Sequence, residues 1–365
     1  MTKYRLKDIF DQLHSMKKNL LFLLLIIFSF SAFSQGLGGN STYQFLNSYA
    51  NARIAALGGS AIASNDSDLN VAYQNPSLLM PQMNNQLSYN YVKMFADIGS
   101  GYAGFAKHFD SVGTFAAGIQ YFSYGNFTKT TPDGQIQGNF TAGEYGYHVS
   151  YARKIRKINY GANLKFINSN LETYNSFGVA IDLAASYYNP RQLTTYTAVI
   201  SNLGTQLSTY RQGNYENLPL NVQLGFSKKF AHNPLRISLV AHNLQNLGNN
   251  LYQIANRNNR NISLETGEPI QEDFSITQEI LSHLIVNTEV IFSRTFMFRF
   301  GYNYLRRREV GLFDNLGFSG FSWGFGLRVS KFNIAYARAN YMINRSTDHF
   351  SITTNINDFY KKKKQ

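Results

Sequence analysis

The amino-acid sequence predicts an all-β protein: a transmembrane, outer-membrane antiparallel β-barrel of about fourteen strands with a short N-terminal plug. Three observations predict it. Apolar or aromatic residues alternate with small or polar ones through most of the chain. That pattern stands behind a stretch with the form of a secretion signal. The connections between alternating segments are short and long by turns.

The N-terminus comes first. The one long apolar run, 20–30, follows Lys17-Lys18 and precedes Ser31-Ala32-Phe33-Ser34-Gln35. A short basic region, an apolar centre and small residues two apart (Ala32, Ser34) describe a cleavable signal peptide over 1–34, with cleavage expected before Gln35. The run falls short of the roughly 20 residues that a spanning helix needs. Met16, directly before Lys17-Lys18, is an alternative start.

Composition agrees. A length of 365 residues suits two soluble domains or one large barrel. Charged residues make up only 15%, while 25 tyrosines and 29 phenylalanines suit a wall facing lipid. A mean hydropathy of −0.26 excludes a helical-bundle membrane protein but not a barrel with a polar interior. The absence of cysteine excludes disulfides, cysteine metal sites and a lipid-modified N-terminal cysteine. The net charge is +13, and +10 once 1–34 is removed. An exported chain seldom meets nucleic acid, so lipopolysaccharide or an acidic partner is the expected counterpart, set against plain solvated charge on loops and turns.

The segment 35–86 is rich in Gly, Asn and Ala and lacks sustained alternation, so it reads as a plug rather than wall. It holds Ala52-Arg53-Ile54-Ala55-Ala56-Leu57-Gly58-Gly59 and Tyr73-Gln74-Asn75-Pro76-Ser77. Asp66-Ser67-Asp68-Leu69-Asn70 opens like a calcium loop, but Val71 and Ser77 occupy the places of its glycine and its final acid. A helix start or turn explains it better.

The barrel is expected over 87–358, with a solvated basic tail at 359–365. Strands centre on 87–94, 100–108, 113–124, 144–152, 157–168, 176–187, 194–202, 220–230, 235–244, 284–293, 295–305, 321–329, 332–340 and 349–356. Short connections (109–112, 153–156, 188–193, 231–234, 294, 330–331) alternate with mostly long ones (125–143, 169–175, 203–219, 245–283, 306–320). Short periplasmic turns and long outer loops are the habit of bacterial outer-membrane barrels, which would leave both termini in the periplasm. Phe177, Val179, Ile181 and Leu183 alternate with Gly178, Ala180, Asp182 and Ala184, and other strands follow suit. The strand charges Lys165, Asp182, Glu289, Arg299 and Arg328 share the polar set, as they must: a basic residue at mid-membrane on the lipid face costs roughly 2–4 kcal/mol. Arg338 breaks the pattern, near a strand end. A sandwich or propeller would need the aromatic faces of two sheets to meet, and no blade repeat is present.

No catalytic constellation emerges; the seven histidines are scattered and none joins a nucleophile in a known motif. Glu289, Asp182 and Lys165 suggest a charge network, of the kind that commonly holds a barrel interior together. Arg306, Arg307 and Arg308, where a strand enters an outer loop, suit bidentate binding of phosphate or carboxylate and equally suit pairing with lumen acids. The insertion 245–283 reads as a lid or docking surface, with a short helix over 276–284. No cofactor or metal is implied.

The chain resembles the PorQ family, outer-membrane components of the type IX secretion system of Bacteroidota, within the wider fatty-acid-transporter-like barrels. The resemblance rests on Ala52-Arg53 with Ala56-Leu57-Gly58-Gly59, Gln74-Asn75-Pro76, Gly113-Thr114-Phe115, Ile119-Gln120-Tyr121 and Tyr124-Gly125-Asn126-Phe127. It continues through Phe140-Thr141-Ala142-Gly143-Glu144, Ser201-Asn202-Leu203-Gly204, Leu218-Pro219, Gly301-Tyr302-Asn303-Tyr304 with Arg306, Arg307 and Arg308, and Gly320-Phe321-Ser322. It implies a fourteen-stranded barrel with a plug in which Asn75, Pro76 and Ser77 match an Asn-Pro-Ala motif, Ser77 being a conservative departure. It further implies a non-catalytic anchor for a PorZ-like surface protein, in an attachment complex with PorU and PorV that joins secreted cargo to anionic lipopolysaccharide. Peptidase activity there belongs to PorU. Two other functions stay open: transport of hydrophobic small molecules, and an outer-membrane hydrolase.

Overall fold

The computed structural model describes residues 41–248, 251, 275–293, 295–310, 318–342 and 345–360. The expected signal peptide, most of the 245–283 insertion and the lysines of the tail lie outside the described residues.

Fourteen antiparallel strands close into one barrel in sequence order. They are β1 (Gln86–Lys93), β2 (Gly99–Phe109), β3 (Gly113–Thr130), β4 (Ile136–Ile155), β5 (Ile158–Leu171), β6 (Tyr174–Asn189) and β7 (Thr194–Ser208). There follow β8 (Asn221–Lys229), β9 (Leu235–Ala241), β10 (Leu284–Ile291), β11 (Phe296–Asn303), β12 (Phe321–Val329), β13 (Phe332–Met342) and β14 (Arg345–Asn355). Closure runs through β1 and β14, from Gln86 opposite Asn355 to Lys93 opposite Asp348, so the ring of strands itself has no edge strand. Because Gln86 and Asn355 pair, both ends of the barrel sequence lie at the mouth that carries the short turns.

Alternation sets the two faces. On β4, Tyr145, Tyr147 and Val149 are exposed while Glu144, His148 and Ser150 are buried. The same split holds on β5, where Leu164 and Phe166 face outward and Asn163 and Lys165 inward. The outward set forms an apolar band of Tyr, Phe, Leu and Trp323, as a lipid-facing wall requires. Arg338, the exception in the pattern, donates from Nε to Ser346 at 2.5 Å and lies 4.0 Å from Asp348 on β14. Its charge is met on the outer face.

Three connections differ from expectation. The span 125–143 is not a loop: β3 and β4 continue as a hairpin from Asn126 opposite Thr141 to Thr130 opposite Ile136, after a bulge at Gly125 (φ 86°). Residues such as Thr128, Lys129, Gln137 and Gly138 are exposed, so both faces are solvated and no hydrophobic alternation marks the strands. The span 169–175 closes as a two-residue turn with Leu171 opposite Tyr174 and Glu172 at φ 58°. The Arg306–Arg308 run, expected at a strand end, lies in helix α4 (Tyr304–Val310), which Asn303 starts by accepting from the Arg306 N–H at 3.1 Å.

The plug fills the lumen. Helix α1 (Ala52–Ala56) is capped by Asn51, whose Oδ1 accepts from the Ile54 N–H at 2.9 Å. Helix α2 (Leu69–Ala72) is capped by Asp68, so the Asp66–Asn70 stretch is a helix start. A second interstrand helix, α3 (Ile276–Ser282), occupies part of the long insertion, where a helix is expected. Ile54, Leu57, Val71 and Leu78 are fully buried and cluster, each contributing about 1.5–3 kcal/mol by leaving water. Small inward wall residues meet them: Ala106, Ala116 and Ala152 pack on Leu69, Leu79 and Met83. Where the plug backbone itself touches the wall there is glycine. A Cβ at Gly161 would strike Pro76 and Ser77, and one at Gly301 would strike Leu57 and Gly58.

Candidate functional site: an ionic latch between plug and wall

The inward parity of β9, β10 and β11 puts Arg236, Glu289 and Arg299 in one row, since Glu289 lies opposite both arginines in register. Arg53 reaches the row from α1. Its Nε donates to Glu289 Oε1 and its Nη2 to Oε2, both at 3.0 Å. Arg236 Nη1 donates to Oε2 at 2.7 Å and Arg299 Nε to Oε1 at 3.1 Å. Glu289 thus receives three guanidiniums while 1% exposed.

The plug supplies the remaining anions. Arg53 Nη1 and Nη2 donate to the two oxygens of Asp66 at 2.8 and 2.6 Å, and Nη1 also to Asp68 at 3.0 Å. Arg236 Nη1 bridges to Asp66 at 2.9 Å. Three arginines therefore face three carboxylates, and a charge-balanced cluster is what a buried site tolerates. Burial pushes the Asp66 carboxyl up, but Arg53 and Arg236 outweigh it and hold the pKa down to about 2. The pairing locks plug to wall through charge-assisted bonds that no apolar contact could replace geometrically.

A second cluster sits across β5, β6 and β7. Lys165 Nζ lies 2.7 Å from Asp182 Oδ2, and Asn163 Nδ2 donates to the same oxygen at 2.9 Å. The register of β6 and β7 shifts between Ile181 and Leu183, with Asn202 at φ 61°. Asp182 Oδ1 accepts the bulge's Asn202 N–H at 2.7 Å, and Lys165 donates to Asn202 Oδ1 at 2.7 Å. The single network expected of Glu289, Asp182 and Lys165 is therefore two: Glu289 belongs to the latch, Asp182 and Lys165 to a bulge.

The plug motif is structural in its contacts. Asn75 accepts from the Ser77 N–H at 3.0 Å and hydroxyl at 2.6 Å and donates to the Ile62 carbonyl at 2.7 Å. Pro76 begins a 3-10 turn (Pro76–Leu78), where its missing N–H costs nothing. Ser186 on β6 donates to the Ser77 carbonyl at 3.3 Å. Nearby, Tyr73 stacks edge-on with His148, centroids 4.8 Å apart, touches Tyr102 at 4.9 Å and bonds Gln120.

The remaining sequence candidates divide. Arg299 joins the latch. Arg328 lines a cavity of about 420 Å³ at the short-turn mouth, beside Arg299, Lys331, Asp66 and Asp68. Arg306 packs its guanidinium over plug residue Gly59, with a Cβ there 3.4 Å from Nη2. Arg306, Arg307 and Arg308 share α4 at the opposite mouth. Between plug and wall, Ile54, Tyr49, Tyr73 and Tyr102 line a void of only about 10 Å³. Among the described residues no group of three or more His, Cys, Asp or Glu is placed to hold a metal.

Sequence reasoning missed Arg53, Asp66, Asp68 and Arg236. Arg236 could have been found by parity, since it stands on the inward set of its strand. Arg53, alone in an alanine-rich stretch, was the signal for a buried partner.

Neither a protein-family model nor a curated protein matches the sequence. Among solved structures, the toluene transporter TodX of Pseudomonas putida is 12% identical with a TM-score of 0.45, over 83% of this chain and 96% of that one. A FadL homologue of Pseudomonas aeruginosa is 10% identical with a TM-score of 0.44, over 84% and 98%. A mutant Rhodopseudomonas blastica porin is 8% identical with a TM-score of 0.27, over 74% and 98%.

Proposed function

We propose that this chain is a closed, non-catalytic outer-membrane barrel that anchors a surface partner through its loop-bearing mouth. The observation that carries this reading is the plug bonded into the lumen. The plug is bonded to the wall by Arg53 and Glu289, and beside Tyr49, Tyr73 and Tyr102 the gap between them is only about 10 Å³, while the cavities of about 420 and 620 Å³ open at the short-turn mouth. A barrel whose plug is fastened to its wall in this way serves as a holder more readily than as a conduit.

The resemblance to the PorQ family supplies the finer role: a component of the type IX attachment complex, holding a PorZ-like surface protein near PorU and PorV while cargo is joined to lipopolysaccharide. Both termini then lie in the periplasm, at the short-turn mouth. On this reading Arg306, Arg307 and Arg308, with the ends of the long insertion at 245–248 and 275–283, face the cell exterior. The test is to delete 245–283 and recover surface proteins with the purified barrel. A folded barrel that loses its partner supports the assignment; undiminished recovery defeats it.

A second reading, uptake of hydrophobic small molecules, has one observation in its favour. The Tyr49, Tyr73 and Tyr102 seam is the apolar line along which plug and wall would part. Toluene transport is the activity named for the Pseudomonas putida barrel. For this chain the reading requires the plug to move, and uptake by cells carrying or lacking the protein distinguishes it.

A further inference from the structure

We infer that the short-turn mouth carries a binding site for an acidic peptide segment, at the end of the barrel opposite the loops assigned to the surface partner. The site is a cavity of about 620 Å³ between plug residues Leu79, Met80, Pro81 and Gln82 and the wall at the β2–β3 and β4–β5 turns. That volume lies within the range of ligand-binding clefts.

Its charge is of one sign. Arg153, Lys154 and Lys157 line it, and no Asp or Glu does. Asp110, 3.5 Å from the His108 ring, is fully exposed and is not part of the lining. None of the three cations is engaged in an ion pair among the described residues. They come from one hairpin end, Arg153 and Lys154 on β4 and Lys157 in the turn to β5, with Lys154 opposite Asn159, so they line a rim instead of converging on a point. A single small anion is held by converging donors, whereas a row of carboxylates along a chain fits a rim.

The rest of the lining is what a peptide needs. Leu79, Met80 and Pro81 offer an apolar floor for side chains between the carboxylates. Asn159, Thr114 and Ser186 add polar side chains to the lining. The combination of a one-sign rim of cations and an apolar floor selects a polypeptide with Asp or Glu interleaved with apolar residues.

The test uses the full chain purified in a non-ionic detergent and a fluorescein-labelled peptide of alternating glutamate and leucine, read by fluorescence anisotropy. The probe is expected to bind, and its glutamine–leucine counterpart is not. Replacing Arg153→Gln, Lys154→Gln and Lys157→Gln together should weaken binding about tenfold or more. Gln82→Trp, on an exposed plug position, should weaken it with every cation in place. Lys228→Gln with Lys229→Gln, at another turn of the same mouth, should leave it unchanged. No binding by the native barrel, equal binding of the glutamine peptide, or equal losses from the two sets of charge removals would overturn the inference. So would displacement by inorganic phosphate with Gln82→Trp still binding, which marks a plain anion site. All variants alter exposed residues, and heat-modifiable migration of the barrel checks that each is folded.

Discussion

Arg53 and Glu289, 236 positions apart in sequence, form a two-point pair with both bonds at 3.0 Å, one residue on the plug and the other on the wall. It is the ionic link at the centre of the plug–wall contacts. Glu289 also answers Arg236 and Arg299 across its own strands, so the latch is tied into three strands of the barrel.

Glu289→Ala leaves Arg53, Arg236 and Arg299 clustered with a carboxylate missing. Removing one side of a buried pair costs about 3–5 kcal/mol, and release of the plug relieves it at less cost than unfolding the barrel. The expected outcome in planar bilayers is frequent ion conductance from Glu289→Ala and from Arg53→Ala, against a closed native barrel. Silent variants would mean that the remaining plug–wall contacts, polar and apolar, hold the plug without the latch.

Asp66 gives the latch its pH dependence. Its folded pKa, about 2, lies below the ordinary value near 3.9, so its contribution is present in full above the ordinary value. That contribution is lost as the pH falls from about 4 toward 2. Plug retention, read as protection of 41–85 from protease, should be flat from neutral pH to about 5 and fall below 4. Asp66→Asn should weaken retention already at neutral pH and flatten that acid dependence.

Asp182 serves a different purpose. It neutralises Lys165 and accepts the N–H that the bulge at Asn202 frees from the ladder. Asp182→Ala should destabilise the barrel by about 3–5 kcal/mol in denaturant unfolding. The pair Lys165→Met with Asp182→Leu should cost less than the sum of its single changes, because no unmatched charge remains.

Gly301 tests the fit of plug to wall. A Cβ there runs into the Leu57–Gly58 backbone, which has no flexible atom to give way. Gly301→Val should displace the plug, raising protease access to 41–85 while heat-modifiable migration of the barrel persists.

The wall was legible in the sequence because lipid on one side and a polar lumen on the other force a period of two, as on β4 and β5. Legibility ended where that contrast ended. The 126–141 hairpin is wet on both faces and carries no apolar period, so it reads as loop. Helix α4 starts at the Asn303 cap after a strand pattern and reads as a continuation of it. In the site, Glu289 and Arg299 were found because charge on a lumen set needs a partner. Arg53, Asp66 and Asp68 were not, because a plug pairs residues by three-dimensional fit without any repeat. The Asp66–Asn70 stretch showed only its local role as a helix start.

The most direct measurement of the anchoring role follows one secreted cargo with a C-terminal sorting signal in a strain lacking this protein, beside uptake of a hydrophobic compound. The expected result is cargo lost to the medium or left without lipopolysaccharide, with uptake unchanged and display restored by the native gene but not by one lacking 245–283. Normal cargo display with impaired uptake would contradict the anchor and make the barrel a transporter.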